Sequence, residues 1–256
     1  MTTALALTWA TFSRSLTARI ATALVAVFAP AFAIGGVALA RSGAITGPSA
    51  VKFAPFATGT FAEASSLLLG QILTVVMVLA AGFVAAWLFG REWADKTIGS
   101  LFSLPVSRTA IAWAKVSITS AWVIACVTFA VGAAALAVAT ADASHLDVAT
   151  WRSLGLDWAA ATMMGLLGIP FGWLAVVTRG YLGALGGIIG ITAVSQILAS
   201  VGVGRWVPYV APAVWAGAGG DQASSDIGAA HLLWALAFAV LGAWAAVSAF
   251  ARARLD

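Results

Sequence analysis

Few side chains in this sequence could make or break a bond. The 256 residues hold nine acidic side chains, two histidines and one cysteine. The densest set is Asp142, His145, Asp147 and Asp157, donor types that suit a divalent metal and so raise a membrane-embedded, lipid-processing enzyme as an alternative. Metal ligands must converge and be held by a second shell. This loose spacing in one outer loop indicates neither, so the set reads as solvated loop, and no catalytic or metal residue is assigned. Nucleotide hydrolysis would need a glycine-rich turn ending Gly-Lys-Ser/Thr, whose backbone amides cradle phosphate. Lys52, Lys96 and Lys115 follow Val51, Asp95 and Ala114, and none completes that motif. The chain is therefore expected to use no cofactor itself. An ion-coupled secondary transporter, a second alternative, usually keeps an ionisable residue inside a span. The charge-free windows described next hold only His231, near an end. Gln71, Thr74, Thr128, Ser195 and Gln196 are the polar groups left to bond between helices or to line a path.

Composition sets the solvent. Hydrophobic residues make up 62% of the chain and charged ones 9%, with a mean hydropathy of +1.02. A soluble domain needs roughly a quarter of its residues charged, so much of this surface must face lipid. The net charge of +4 comes from 13 Lys and Arg spread along the chain, which points to loop topology rather than to nucleic acid. Cys126 lies in an apolar run with no second cysteine to pair with. Charge-free windows span 20–40, 64–90, 116–141, 158–178, 180–204 and 227–251. Each suits one crossing of about 20 helical residues, and lipid leaves helix as the default. The expected fold is an all-α integral membrane protein, one domain over 1–256, with spans near 20–40, 66–90, 116–140, 158–178, 181–203 and 230–251. The first window outruns a signal-peptide core of about 7–15 residues and reads as a retained span.

Six crossings put both termini on one side. That side carries Arg14, Arg19, Arg91, Lys96, Arg108, Lys115, Arg179, Arg252 and Arg254, against Arg41, Lys52, Arg152 and Arg205 on the other. The basic side is expected to be cytoplasmic, in a bacterial plasma membrane. Trp87, Trp93 and Trp113 near one face, and Trp151, Trp158, Trp206 and Trp215 near the other, are placed as interfacial anchors. Leu5, Trp9, Phe12 and Leu16 follow helical spacing, so residues 1–19 form either an interfacial helix or an extension of the first span. Residues 204–220 are apolar and aromatic but too short to cross, and Pro208 and Pro212 break them. With Trp206, Tyr209 and Trp215 they are expected either to re-enter as an outer gate or to lie on the surface. Gly183 with Gly187, and Gly186 with Gly190, have the spacing of close helix contact, within one chain or between two.

The most informative stretch is 90–115, G-R-E-W-A-D-K-T-I-G-S-L-F-S-L-P-V-S-R-T-A-I-A-W-A-K. Charges at its ends flank a short apolar run, Pro105 stops that run, and Ser107 can cap the next span. This predicts a short amphipathic helix pressed against something in the cytoplasm. Glu92, Asp95, Lys96-Thr97, Leu101, Pro105-Val106-Ser107-Arg108 and Lys115 together resemble the first cytoplasmic loop of type-2 ABC exporter permeases. Gly99 departs from that pattern, where a polar helix-former is usual. Six spans, an N-terminal interfacial helix and a broken outer segment resemble the family along the whole chain. The resemblance implies a permease whose residues 91–108 form a coupling helix docked on a separate ATP-binding subunit that holds ATP and Mg. It also implies two permease copies around the path, and export of antibiotics or peptides. Glu92 and Arg108 would tie the loop to the membrane helices.

Overall fold

The computed structural model describes residues 1–141, 147–202, 204–218 and 220–254, and these form helices joined by turns and short links. Helix α1 (Thr2–Arg14) stops at Ser15, whose backbone is extended. The Ser15 hydroxyl accepts from the Ala18 amide at 3.1 Å and so starts α2 (Leu16–Ala23). A wide π turn (Leu24–Phe28) then leads into α3 (Ala29–Arg41). It lies just before Pro30, whose ring would strike the Ala26 carbonyl in a regular helix. The next loop is itself folded, with α4 (Pro48–Phe53) and Arg41 donating to the Gly59 carbonyl at 2.8 Å. Thr60 and Glu63 cap each other's amides to open α5 (Phe61–Ala94).

The remaining helices are α6 (Ile98–Phe102), α7 (Arg108–Ala141), α8 (Val148–Leu166), α9 (Phe171–Val177), α10 (Tyr181–Ser200), α11 (Ala211–Trp215), α12 (Asp221–Ser225) and α13 (Ala229–Arg252). Among the described residues six stretches are long and apolar enough to cross a membrane: Leu16–Arg41, Phe61–Ala94, Arg108–Ala141, Val148–Val177, Tyr181–Ser200 and Ala229–Arg252. The all-helical, six-span expectation therefore holds.

The helix of the fourth span starts at Val148, nearly three helical turns ahead of the charge-free window that opens at 158. Asp147 accepts from the Thr150 amide at 2.8 Å and caps α8, so Arg152 and Asp157 lie inside the helix and not in a loop. Asp157 is 1% exposed. Its carboxylate accepts from the Ser66 hydroxyl at 2.6 Å, and Ser66 lies 2.7 Å from the Ser153 hydroxyl. A side chain at Gly70 would come within 2.2 Å of the same carboxyl. The solvated-loop reading is thus corrected for Asp157, which is clasped between α5 and α8, while Asp142 and His145 lie outside the described residues. The spans do contain a buried acid.

Helix α5 is the axis of the bundle. Two thirds of its apolar window is buried, against 17% for α10 and 28% for α13, whose outward Leu, Ile, Val and Trp side chains suit lipid. Small residues bring the helices close. A Cβ on Gly168, in the turn between α8 and α9, would lie 2.5 Å from the Gly82 amide nitrogen, and one on Gly242 would lie 2.3 Å from the Pro170 ring. On α10, Gly187 packs against Leu174, whereas Gly186 and Gly190 face open space.

These glycines make opposite predictions. Gly168→Ala forces backbone apart and should cost about 1–3 kcal/mol. Gly186→Ala meets nothing and should stabilise by about 0.5–1 kcal/mol, because glycine weakens a helix interior. Unfolding of the purified chain by denaturing detergent, followed by circular dichroism, measures both.

Candidate functional site

Helix α5 outlasts its apolar window and carries Arg91, Glu92 and Trp93 beyond it. It ends by wrapping its last amides back. The Asp95 amide donates to the Arg91 carbonyl at 2.8 Å, and the Thr97 amide to that of Glu92 at 2.8 Å. Lys96 closes the wrap with φ +56°, a left-handed position that glycine usually takes. The chain thereby reverses into α6, only five residues long. Pro105 and Val106 follow, and the Ser107 hydroxyl accepts from the Ala110 amide at 3.2 Å to cap α7, as the sequence predicts.

One face of this reversal is anchored. Ile98, Leu101, Phe102 and Val106 pack onto the bundle. Phe102, Trp93 and Phe89 meet Phe250 of α13 edge to face, with centroids 5.5, 5.6 and 5.7 Å away. The Arg108 guanidinium sits 3.9 Å from the centre of the Phe102 ring and donates to the Ala253 carbonyl at 2.9 Å. Beneath them lies Lys115, 2% exposed. Its ammonium donates to Glu92 at 2.7 Å and to the Leu88 carbonyl, and lies 4.6 Å from the Phe250 centroid. Lys115 is therefore not the far end of a solvated loop: it is a core cation of α7 that fastens α5. Glu92 reaches α7 directly, and Arg108 reaches the end of α13.

The other face is bare. Asp95, Lys96, Thr97, Gly99, Ser100, Ser103, Leu104, Pro105 and Ser107 are exposed. Thr97 does not cap α6 with its side chain. The eight residues singled out from the sequence thus divide. Glu92, Leu101, Arg108 and Lys115 hold the element in place, and Asp95, Lys96, Thr97 and Pro105 face outward.

At the opposite end, residues 204–218 fold into the bundle. Tyr209 is buried between Phe171 and Phe238, with centroids 6.0 and 5.8 Å away. Phe238 stands nine positions into α13, about 13 Å below its start. Pro212 is buried in the first turn of α11, Pro208 and Trp215 are half-buried, and Trp206 is exposed with its ring 4.3 Å from that of His231. A cavity of about 530 Å³ lies between this segment, α5 and α10. Gln71 and Thr74 of α5 and Ser195 and Gln196 of α10 line it with Tyr209, so four of the five polar residues, from two spans, share one space. The fifth, Thr128, accepts from the Trp158 indole at 2.9 Å, a bond between helices. A second cavity of about 660 Å³, lined by Arg205, Trp206 and Asp226, shares residues such as Val210 and Val214 with the first. Among the described residues no group of acidic, histidine or cysteine side chains gathers as a metal site.

Sequence reasoning missed the burial of Lys115 and Asp157. The signal was helical spacing: Ile111, Lys115 and Ile118 share one buried face, as do Thr150, Leu154, Asp157 and Ala161.

A six-span bundle with a braced, one-sided element on one end defines a polytopic membrane protein. The chain belongs to the ABC-2 family transporter proteins, whose pattern residues 14–198 match. It is accordingly the membrane permease of an ABC transporter. No curated protein matches the chain.

Removing one member of a buried pair strands the other. Glu92→Ala, which leaves the Lys115 ammonium without its counter-charge, should cost about 3–5 kcal/mol. The double replacement Glu92→Met with Lys115→Met should recover most of that loss. Arg108→Ala should cost less, about 1–2 kcal/mol, for the ring contact. Detergent unfolding midpoints give the ranking.

Proposed function

We propose that this permease drives ATP-powered export, and that residues 91–108 carry the power stroke from a separate ATP-binding subunit into the bundle. The observation that carries this is the two-faced reversal after α5. Its buried face is clamped to α5, α7 and α13 through Phe250, Glu92–Lys115 and Arg108, so a push on the exposed face reaches three helices. Its exposed face offers opposite charges, Asp95 and Lys96, beside Leu104 and Pro105, suited to a groove on a partner protein. The family implies an ATP-binding subunit, and ATP and Mg would be bound there.

The charge asymmetry supports a cytoplasmic location for both termini and for this element, in a bacterial plasma membrane. Helix α1, which buries Ala4, Thr8 and Phe12 and exposes Leu7 and Trp9, then rests on the inner leaflet. Two copies of the chain would enclose the path. Trp206, Pro208, Tyr209, Pro212 and Trp215 form the outer gate, closed over a cavity without charged lining. That apolar wall with amide and hydroxyl groups suits antibiotic- or peptide-like cargo.

A second reading draws on Asp157. An acid inside a span is what an ion-coupled carrier uses. ATP dependence separates the two: transport that follows an ion gradient without ATP, and is lost in Asp157→Asn, would favour the carrier.

The decisive variant alters the exposed face alone. Asp95→Lys with Lys96→Glu breaks no contact within the chain. It should leave the unfolding midpoint in place, yet lower co-purification of ATPase activity from native membranes about tenfold or more. Undiminished co-purification, with undiminished ATP-driven export, would overturn the coupling assignment.

A further inference from the structure

A third cavity has no part in either end described above. It is a groove of about 600 Å³ between α1, the α2–α3 span and α7. It is open to the surroundings of the bundle, and Trp9, Val27 and Phe129 on its walls are each more than half exposed. Its polarity is graded. Ser13 and Arg19 lie at the end nearest α1, and the walls beyond are Ala23, Ala26, Val27 and Phe129. The polar atoms deeper in are already paired, since the Trp122 indole donates to the Thr22 hydroxyl at 2.8 Å.

Among the described residues Arg19 is a cation without a counter-ion. The one ion pair among the described residues joins Lys115 to Glu92. Residues 1–62 contain Arg14, Arg19, Arg41 and Lys52 but no Asp or Glu at all. From α7, Lys115 is the nearest charge in sequence to the groove wall, and it is bound to Glu92. Among the described residues no acidic side chain pairs with Arg19, so its exposed guanidinium is open to an anion from outside the chain. From Arg19 to Val27 the helix descends about 12 Å. A charged mouth over an apolar trench of that depth matches a headgroup and its tail.

We propose that this groove seats one anionic phospholipid from the leaflet on the side of the termini, its phosphate on Arg19 and an acyl chain against Val27, Trp122 and Phe129. The bound lipid completes the junction of α1 with the first span, where Ser15 breaks the helix. This rests on the membrane placement proposed above for which leaflet supplies the lipid, and on nothing about ATP coupling.

The test uses the full chain in neutral-detergent micelles, titrated with dioleoylphosphatidylglycerol or dioleoylphosphatidylcholine and read by native mass spectrometry. The anionic lipid should bind about fivefold more tightly, the increment one arginine gives near an anionic surface. Arg19→Gln should erase that preference, and Lys52→Gln, on the opposite side, should leave it intact. Ala23→Trp and Ala125→Phe, which fill the groove from separate walls with exposed side chains, should each remove the bound lipid without lowering the unfolding midpoint. Phosphatidylglycerol bound as before in both filled variants would overturn the proposal, because only surface attraction would remain. So would disulfide linkage of Ala125→Cys (in Cys126→Ala) to a second copy with loss of lipid, which would make that copy the occupant. Neither result touches the coupling assignment, since no ATP-binding subunit is present.

Discussion

An ammonium held away from water governs the end of this bundle that bears the termini. Lys115 cannot hydrate in place, so Glu92, the Leu88 carbonyl and the Phe250 ring must all stand around it. Those demands fix the relative position of α5, α7 and α13 at one point. Breaking a buried pair is far more costly than never having it. Its presence here is better understood as register than as stability, because an apolar junction could slide where an ion pair cannot. The reversal at Lys96 and the short α6 inherit that register through Phe102, Trp93 and Arg108.

Elsewhere the bundle is held by closeness. Lipid is as apolar as leucine, so burying a leucine between helices gains little over leaving it outside. What remains is dispersion, which needs short distances, and short distances need missing side chains. Gly82, Gly168, Gly172 and Gly242 supply them around α5, α9 and α13, with alanines at 235, 239, 243 and 246 on the last helix. On that helix the large aliphatic Leu233, Val240 and Leu241 are left to face outward. Gly70 is the exception in kind, since the space it leaves admits a carboxyl that accepts from Ser66, itself held by Ser153.

The two ends of the molecule therefore differ physically. Around Phe250 the packing is aromatic, charged and continuous, fit to transmit a displacement. Around Tyr209 it is looser, with two adjoining cavities and a helix of five residues between turns. In the coupling we propose, a displacement taken up at the stiff end would be expressed at the loose one.

Much of this was legible in the residues. Sparse charge and six long apolar windows determined an all-helical bundle, because lipid accepts no unpaired backbone. The order from Glu92 to Lys115, with Pro105 and the Ser107 cap, marked the reversal between two spans and the family to which the chain belongs. What lay beyond reach was which charges are wet. Lys115 and Asp157 read as loop residues, since a charge ordinarily ends a span. Only the folded chain supplies Glu92 from one helix and Ser66 from another to make their burial tolerable. The same holds for the meeting of Gln71 and Ser195 across one cavity and for the unpaired Arg19 at the head of another. Sequence determines what each helix can bury; distances between helices decide which partners are there to receive it.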